Sequence, residues 1–420
     1  MPLYRKTVLD NGIRIISEEI DHVRSVSIGI WVQCGSRHED RETNGMAHFI
    51  EHMMFKGTRN RSAFDIAAAI DSVGGVMNAF TGKELTSFYI KIPDYHLDMA
   101  IELLADIFRN SLFDPGEISK EKSVVLQEIH MLDDSPDDYI HDFFEEKFWK
   151  DHPLGYHVLG TRERVERFDR ASVLSFLTPR YRGQNLVLTA AGRLKHEHLV
   201  EMVSRSLGTM PKEALRNGTG SPEVSGGITV LDKDLEQVHM VLGCPAPSSL
   251  SPRRYASFVM NAVLGGSMSS RLFQEIREKR GLAYAIHSYL TPYTDAGMLG
   301  IYVGTGEAHV REVVGVILDE LMRLTRDPLS ERELHSAKEL IKGNFLLSME
   351  STDNRMTRLA KNEIYFSKDI PTEEVIAGID AVSTDEIRTL AGELFNPSVI
   401  GLAAIGRISE HDLALSVLSG

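Results

Sequence analysis

His48, Glu51 and His52 stand within the stretch Gly45-Met46-Ala47-His48-Phe49-Ile50-Glu51-His52-Met53-Met54-Phe55. On a helix, two histidines four residues apart share a face, so both imidazoles can reach one cation, and Glu51 beside His52 projects toward the same point. Two neutral nitrogens suit a borderline-soft ion such as zinc. An unligated carboxylate next to the ion can take a proton from a water that attacks a carbonyl. A chance pair of histidines on a surface helix is the plainer account of the spacing. The neighbours argue against it: Met46, Phe49, Ile50, Met53 and Phe55 fill the other faces. The polar stripe then belongs to a mostly buried helix, and buried polar groups require partners.

The order His-x-x-Glu-His is the inverted form of a zinc signature. The stretch resembles the active-site helix of the pitrilysin/insulinase family of metallopeptidases, most closely the branch that holds the mitochondrial processing peptidase β subunit and its bacterial relatives. Three further runs carry the resemblance: Gly75-Val76-Met77-Asn78-Ala79-Phe80-Thr81, His152-Pro153-Leu154-Gly155 followed by Leu159-Gly160, and Ile276-Arg277-Glu278-Lys279-Arg280-Gly281-Leu282-Ala283-Tyr284. Together they are more specific than the metal motif alone. The resemblance implies a zinc-dependent endopeptidase for unfolded or short peptides, with His48 and His52 as ligands and Glu51 as general base.

A peptidase site of this kind normally holds three protein groups and one water. The segment Glu117–Leu132 reads as a helix with Glu121 and Glu128 seven apart, on one face. A single Glu on a helix is usually solvated, but Val124, Val125 and Leu126 suggest packing, and the resemblance implies Glu128 as third ligand. It also implies Glu121 as a supporting carboxylate that orients a ligand. His130 reads as structural and His96 as a capping or solvated residue. Asn78, Ala79, Phe80 and Thr81 resemble the edge strand on which these peptidases lay an extended substrate; an ordinary internal strand is the other account. Arg277 and Tyr284 lie seven apart with Gly281 between them. By themselves they read as part of a solvated charge run and as core. The resemblance places such a pair over the metal from the second domain, where guanidinium and phenol donate to a developing oxyanion.

The elements that must position these residues follow from periodicity. A strand pair turns at Asn11-Gly12, and Val26, Ile28, Ile30 and Val32 alternate as a half-buried strand. Phe64–Val73 reads as a short helix ended by Gly74-Gly75, followed by strands at Val76–Phe80 and Ser87–Ile92 and helices from Leu97, after Asp114-Pro115, and around Asp138–Trp149. The mixed order predicts an α+β class. The two halves also repeat: Asp114-Pro115 echoes Asp327-Pro328 (327 − 114 = 213), and Gly192-Arg193 echoes Gly406-Arg407 (406 − 192 = 214). Cys34 and Cys244 fall at equivalent points, each expected just after a strand. Two homologous domains, each an antiparallel sheet with helices packed on it, are therefore expected at 1–210 and 227–420, with a linker at 211–226. In the second copy Ala256, Val259 and Met260 occupy the places of the metal motif, so one half would do the chemistry and the other must contribute something else.

The 420 residues, 42% hydrophobic and 25% charged, describe a globular chain. A net charge of −14 argues against nucleic acid as a partner. No apolar run is long enough for a signal segment or a membrane span, and two cysteines in separate halves suit reduced thiols, so a cytoplasmic location is expected. Single-chain relatives in the family close four copies of the repeated unit into a chamber; two copies imply a dimer, a homodimer first and a heterodimer second. Two other readings remain at this point. One is a non-catalytic binding or scaffold subunit of the same fold; the other is a small-molecule metalloenzyme such as an S-ribosylhomocysteine-lyase-like protein.

Overall fold

The structure, a computed structural model, describes residues 3–215, 218, 220–410 and 413, so residues 216, 217 and 219 of the expected linker lie outside it. By contact the chain forms two compact units. The first comprises Met1–Met131, Tyr156–Thr219 and Ser348–Asp369; the second comprises Leu132–Gly155, Gly220–Leu347 and Ile370–Gly420.

The first unit is built on a six-stranded sheet of β1 (Leu3–Val8), β2 (Arg14–Glu19), β3 (Ser25–Val32), β4 (Val76–Thr81), β5 (Thr86–Pro93) and β6 (Leu186–Gly192), in the order β1-β2-β6-β3-β5-β4. The second carries a five-stranded sheet of β7 (Gly227–Asp232), β8 (Val238–Pro245), β9 (Ala283–Pro292), β10 (Gly297–Thr305) and β11 (Gly401–Gly406), ordered β7-β11-β8-β10-β9. Each sheet is antiparallel except for one pair at a matching place, β2 with β6 and β7 with β11. The α+β class and the repeated unit are thus both present. Cys34 follows β3 as expected, whereas Cys244 lies inside β8.

Alternation along β3 sends Val26, Ile28, Ile30 and Val32 into a core shared with Phe49, Ile50, Met53, Phe88 and Leu104. The strand is not half-buried, however. Trp31 on its opposite side is fully buried among Val187, Met356, Leu359 and Ala360, because the helix Thr352–Lys361 covers that face. Ser27 bonds Thr352 at 2.8 Å and Lys91 bonds Asp353 at 2.8 Å, which fixes the helix along the sheet. In the second unit the helix Pro136–Phe148 does the same work. Ile140, Phe143, Phe144 and Phe148 pack on Val241, Tyr302, Ala403 and Ile405, while the other face of that sheet holds Leu242, Ile301 and Leu402 against Val259, Ile317 and Leu390.

Each half of the chain therefore lends one helix to the unit built on the other half's sheet. The docking points are glycines. A Cβ on Gly29 of β3 would meet Met356 Sδ at 3.2 Å, and one on Gly243 of β8 would meet Phe144 Cζ at 2.6 Å. The two positions are 243 − 29 = 214 apart, the offset of the repeat. Among the described residues no helix is long and apolar enough to cross a membrane.

Candidate metal centre

The helix Met46–Met54 starts abruptly, at Gly45 with φ +92°, and has no side-chain cap of its own. Gly45 sits against Gly160, whose φ is +76°. A Cβ on Gly45 would meet Leu159 O at 2.7 Å and one on Gly160 would meet Asn44 O at 2.6 Å, so backbone packs on backbone here and only glycine fits. The Met46 N–H donates to the Thr43 carbonyl at 3.0 Å, while two other backbone N–H groups at this start are taken by Glu39. Its Oε1 accepts from Ala47 N–H at 2.7 Å, and its Oε2 accepts from Gly45 N–H at 2.8 Å and from the Asn44 amide at 3.1 Å. Burial pushes the Glu39 carboxyl up to about 7, against the pull of these three donors. Met46, Ala47, Phe49, Ile50, Met53 and Met54 are buried, leaving His48, Glu51 and His52 on the remaining stripe.

The helix Pro115–Asp133 supplies the other side. Asp114 accepts from Gly116 N–H at 2.8 Å and Pro115 opens the first turn, a start in keeping with the sequence. Ile118, Glu121, Val125 and Ile129 form its buried face, while Val124 is exposed. Glu128, two turns on from Glu121, reaches both histidines: its Oε2 lies 3.7 Å from His48 Nε2 and 3.6 Å from His52 Nε2. The ligand atoms of His48, His52 and Glu128 all lie within 4.8 Å of one another, and among the described residues they form the one such cluster of three or more metal-ligating groups. Around zinc, with bonds of about 2.0–2.1 Å, tetrahedral ligand atoms sit roughly 3.4 Å apart. The donor set fits the ion in type and in spacing.

The charges of these groups are set by burial and by their neighbours. Burial, then the charge of His52, pushes His48 down to about 3, so it stays neutral. His52 Nδ1 is hydrogen-bonded to Glu121 Oε1 at 2.8 Å, which turns Nε2 toward Glu128. Burial works against a charged His52, but the Glu121 bond and the neighbouring carboxylates outweigh it and raise the group. Glu121 is itself buried yet held low by His52 and by Lys56, whose ammonium lies 2.6 Å from its Oε2. Glu51 is raised by burial, partly offset by a 2.5 Å bond donated by the Thr81 hydroxyl.

β4 ends its sheet, so Asn78, Ala79, Phe80 and Thr81 do occupy an edge strand. Val76, Asn78 and Phe80 are exposed, and the Asn78 side chain accepts from the Ala79 N–H at 2.8 Å. In the second unit Gly281, with φ +63°, ends the helical segment that carries Arg277. The Arg277 guanidinium lies 4.6 Å from the ring centre of Tyr284, which is 78% exposed and so is not core. Ala256, Val259 and Met260 are buried on the helix Arg254–Leu264. Sequence reasoning missed Glu39 and Lys56. An acid ahead of a glycine-started helix, and a Lys one turn past His52, are the faint signals that were there.

Residues 14–162 match the insulinase (peptidase family M16) domain, and residues 167–341 match the peptidase M16 inactive domain. The chain is 40% identical over 393 residues to the uncharacterized zinc protease YmxG of Bacillus subtilis, spanning 94% of this chain and 96% of that one. The chain belongs to the M16 family. An uncharacterized zinc protease of Mycobacterium tuberculosis is a further relative, 38% identical over 407 residues and covering 96% and 93% of the two chains. A crystal structure of a Helicobacter pylori protease shares this fold, with a TM-score of 0.89 at 21% identity over 97% of this chain and 100% of that one. M16 peptidases are zinc-dependent, and the ligand set of this chain suits that metal.

Proposed function

We propose that the protein is a zinc-dependent endopeptidase that hydrolyses unfolded or short peptides, with His48, His52 and Glu128 holding the metal and Glu51 acting as general base. The observation that carries the reading is the convergence of three ligand atoms from two helices beside an unligated carboxylate. Zinc, when bound, supplies Lewis-acid polarisation of the peptide carbonyl and a more acidic water. Glu51 takes the proton of the attacking water as oxygen bonds to the carbonyl carbon, then returns it to the leaving nitrogen as the C–N bond breaks. Glu121 orients His52 and keeps its Nε2 directed at the metal. An extended peptide adds to the free edge of β4 at Asn78–Thr81, with main chain paired to main chain. Arg277 and Tyr284 donate to the developing oxyanion once a peptide is bound.

In sequence terms, 1–210 is the catalytic domain and 227–420 the domain that contributes substrate-binding residues. The working form is a dimer that encloses the peptide, a homodimer rather than a heterodimer, and it acts in the cytoplasm. Two buried, unpaired cysteines support a reducing compartment. A non-catalytic subunit would have no use for a complete ligand set. Incubating the purified protein with a quenched peptide library, with and without chelator, tests the reading: chelator-sensitive cleavage is expected, and no cleavage by the zinc-loaded protein returns the scaffold reading.

A further inference from the structure

Thr81 closes β4, and its hydroxyl donates to Glu51 Oε2 at 2.5 Å. The bond lies outside the strand ladder, which pairs Thr81 with Thr86. Thr86 Oγ1 is 3.4 Å from Thr81 Oγ1, but its own proton goes to the Cys34 carbonyl at 2.9 Å. A threonine has one hydroxyl proton; here it is committed to the carboxylate, in a charge-assisted bond. Among the described residues no other hydrogen bond from a protein group reaches Glu51. One oxygen is therefore held by the edge strand while the other is left without a protein donor.

We propose that Thr81 is a positioning residue for Glu51. It pins one oxygen of the carboxylate, leaves the other to receive the proton, and ties the orientation of the base to the strand on which the peptide is laid. The inference rests on the reading of Glu51 as base. The hydroxyl is the contact that matters, since Met77 and Ala79, on the same side of the strand, bring only apolar groups to the core.

The test compares wild type, Thr81→Val, which keeps the shape and removes the donor, Thr81→Ser, which keeps the donor, and Thr81→Ala in case valine disturbs the strand. In the zinc-loaded enzyme Thr81→Val is expected to lower kcat on the order of ten- to hundred-fold, the loss of a misaimed group, with KM changed less than about two-fold and zinc content unchanged. Thr81→Ser restores most of the rate. Crystal structures of the metal-free proteins give a second readout: the Glu51 carboxylate holds one orientation in wild type and Thr81→Ser and leaves it in Thr81→Val and Thr81→Ala. Wild-type kcat in Thr81→Val and Thr81→Ala, or an unmoved Glu51 in both, overturns the proposal. A Glu51→Gln enzyme as active as wild type removes the base reading instead, and the crystallographic comparison still decides whether Thr81 holds Glu51.

Discussion

Glu121 and His52 meet at 2.8 Å, Oε1 to Nδ1, and this one contact decides which ring nitrogen of His52 faces Glu128. Glu121→Ala should leave the three ligands in place but loosen the second histidine and free the Lys56 charge beside it. A ten- to hundred-fold loss of zinc affinity is expected, on the order seen when such supporting carboxylates are removed. Competition against a chromophoric chelator measures it, and unchanged affinity would detach Glu121 from the metal centre.

Glu51→Gln should bind about one zinc per chain and turn over no peptide, because the carboxylate it removes is proposed to move protons and not to ligate. His48→Ala should lose the metal. Elemental analysis of the two proteins decides the assignment: if both lose zinc alike, the roles of Glu51 and His48 have been confused.

Glu39 satisfies two backbone N–H groups at the start of the metal helix from a buried position. Glu39→Ala leaves both unpaired, at a cost of about 1–3 kcal/mol for each buried donor. Glu39→Gln should lie between, since its NH2 must face a donor that the second carboxylate oxygen now accepts. Urea unfolding ranks the three proteins, and equal midpoints for all of them would rule out the clamp.

His38 gives the fold an acid limit. Burial, then the Arg37 charge, pushes it down to about 4 from 6.5, so the folded chain resists a proton that the unfolded chain accepts. Its contribution is therefore present above about pH 6.5 and lost as pH falls toward 4, on the order of 3 kcal/mol in all. His38→Gln should lose less stability between pH 7 and pH 4.5 than wild type does. Equal losses in parallel urea titrations would assign the acid sensitivity elsewhere.

Tyr284 is exposed and stacked under Arg277, so Tyr284→Phe removes a hydroxyl without disturbing a core. Zinc content and fold should be unchanged while kcat falls on the order of 10²–10³-fold, the loss expected for one oxyanion donor. Near-normal kcat would withdraw Tyr284 from the chemistry.

Spacing within one helix made two shared faces legible, His48 with His52 and Glu121 with Glu128, while the parts expected of Glu121 and Glu128 came from the family resemblance. Strand alternation was equally legible at Val26, Ile28, Ile30 and Val32. Glu39 and the Thr81–Glu51 bond were not, because they join elements whose approach depends on how the chain folds back, and a lone acid or threonine in a loop or strand carries no period. The burial of Trp31 was missed for a related reason. A helix such as Thr352–Lys361 has the same amphipathic pattern whichever sheet it covers, so nothing in its residues says that it lies on β3, β2 and β6.

That helix also sets an order of events during synthesis. All three proposed zinc ligands have been made once residue 128 is added, yet the face of their sheet that carries Trp31 stays bare until Thr352–Lys361 emerges from the ribosome. A nascent chain that stops near Pro211 would present Trp31, Ile16 and Val187 to water or to a chaperone, so the metal-binding unit can finish folding only when the chain is nearly complete.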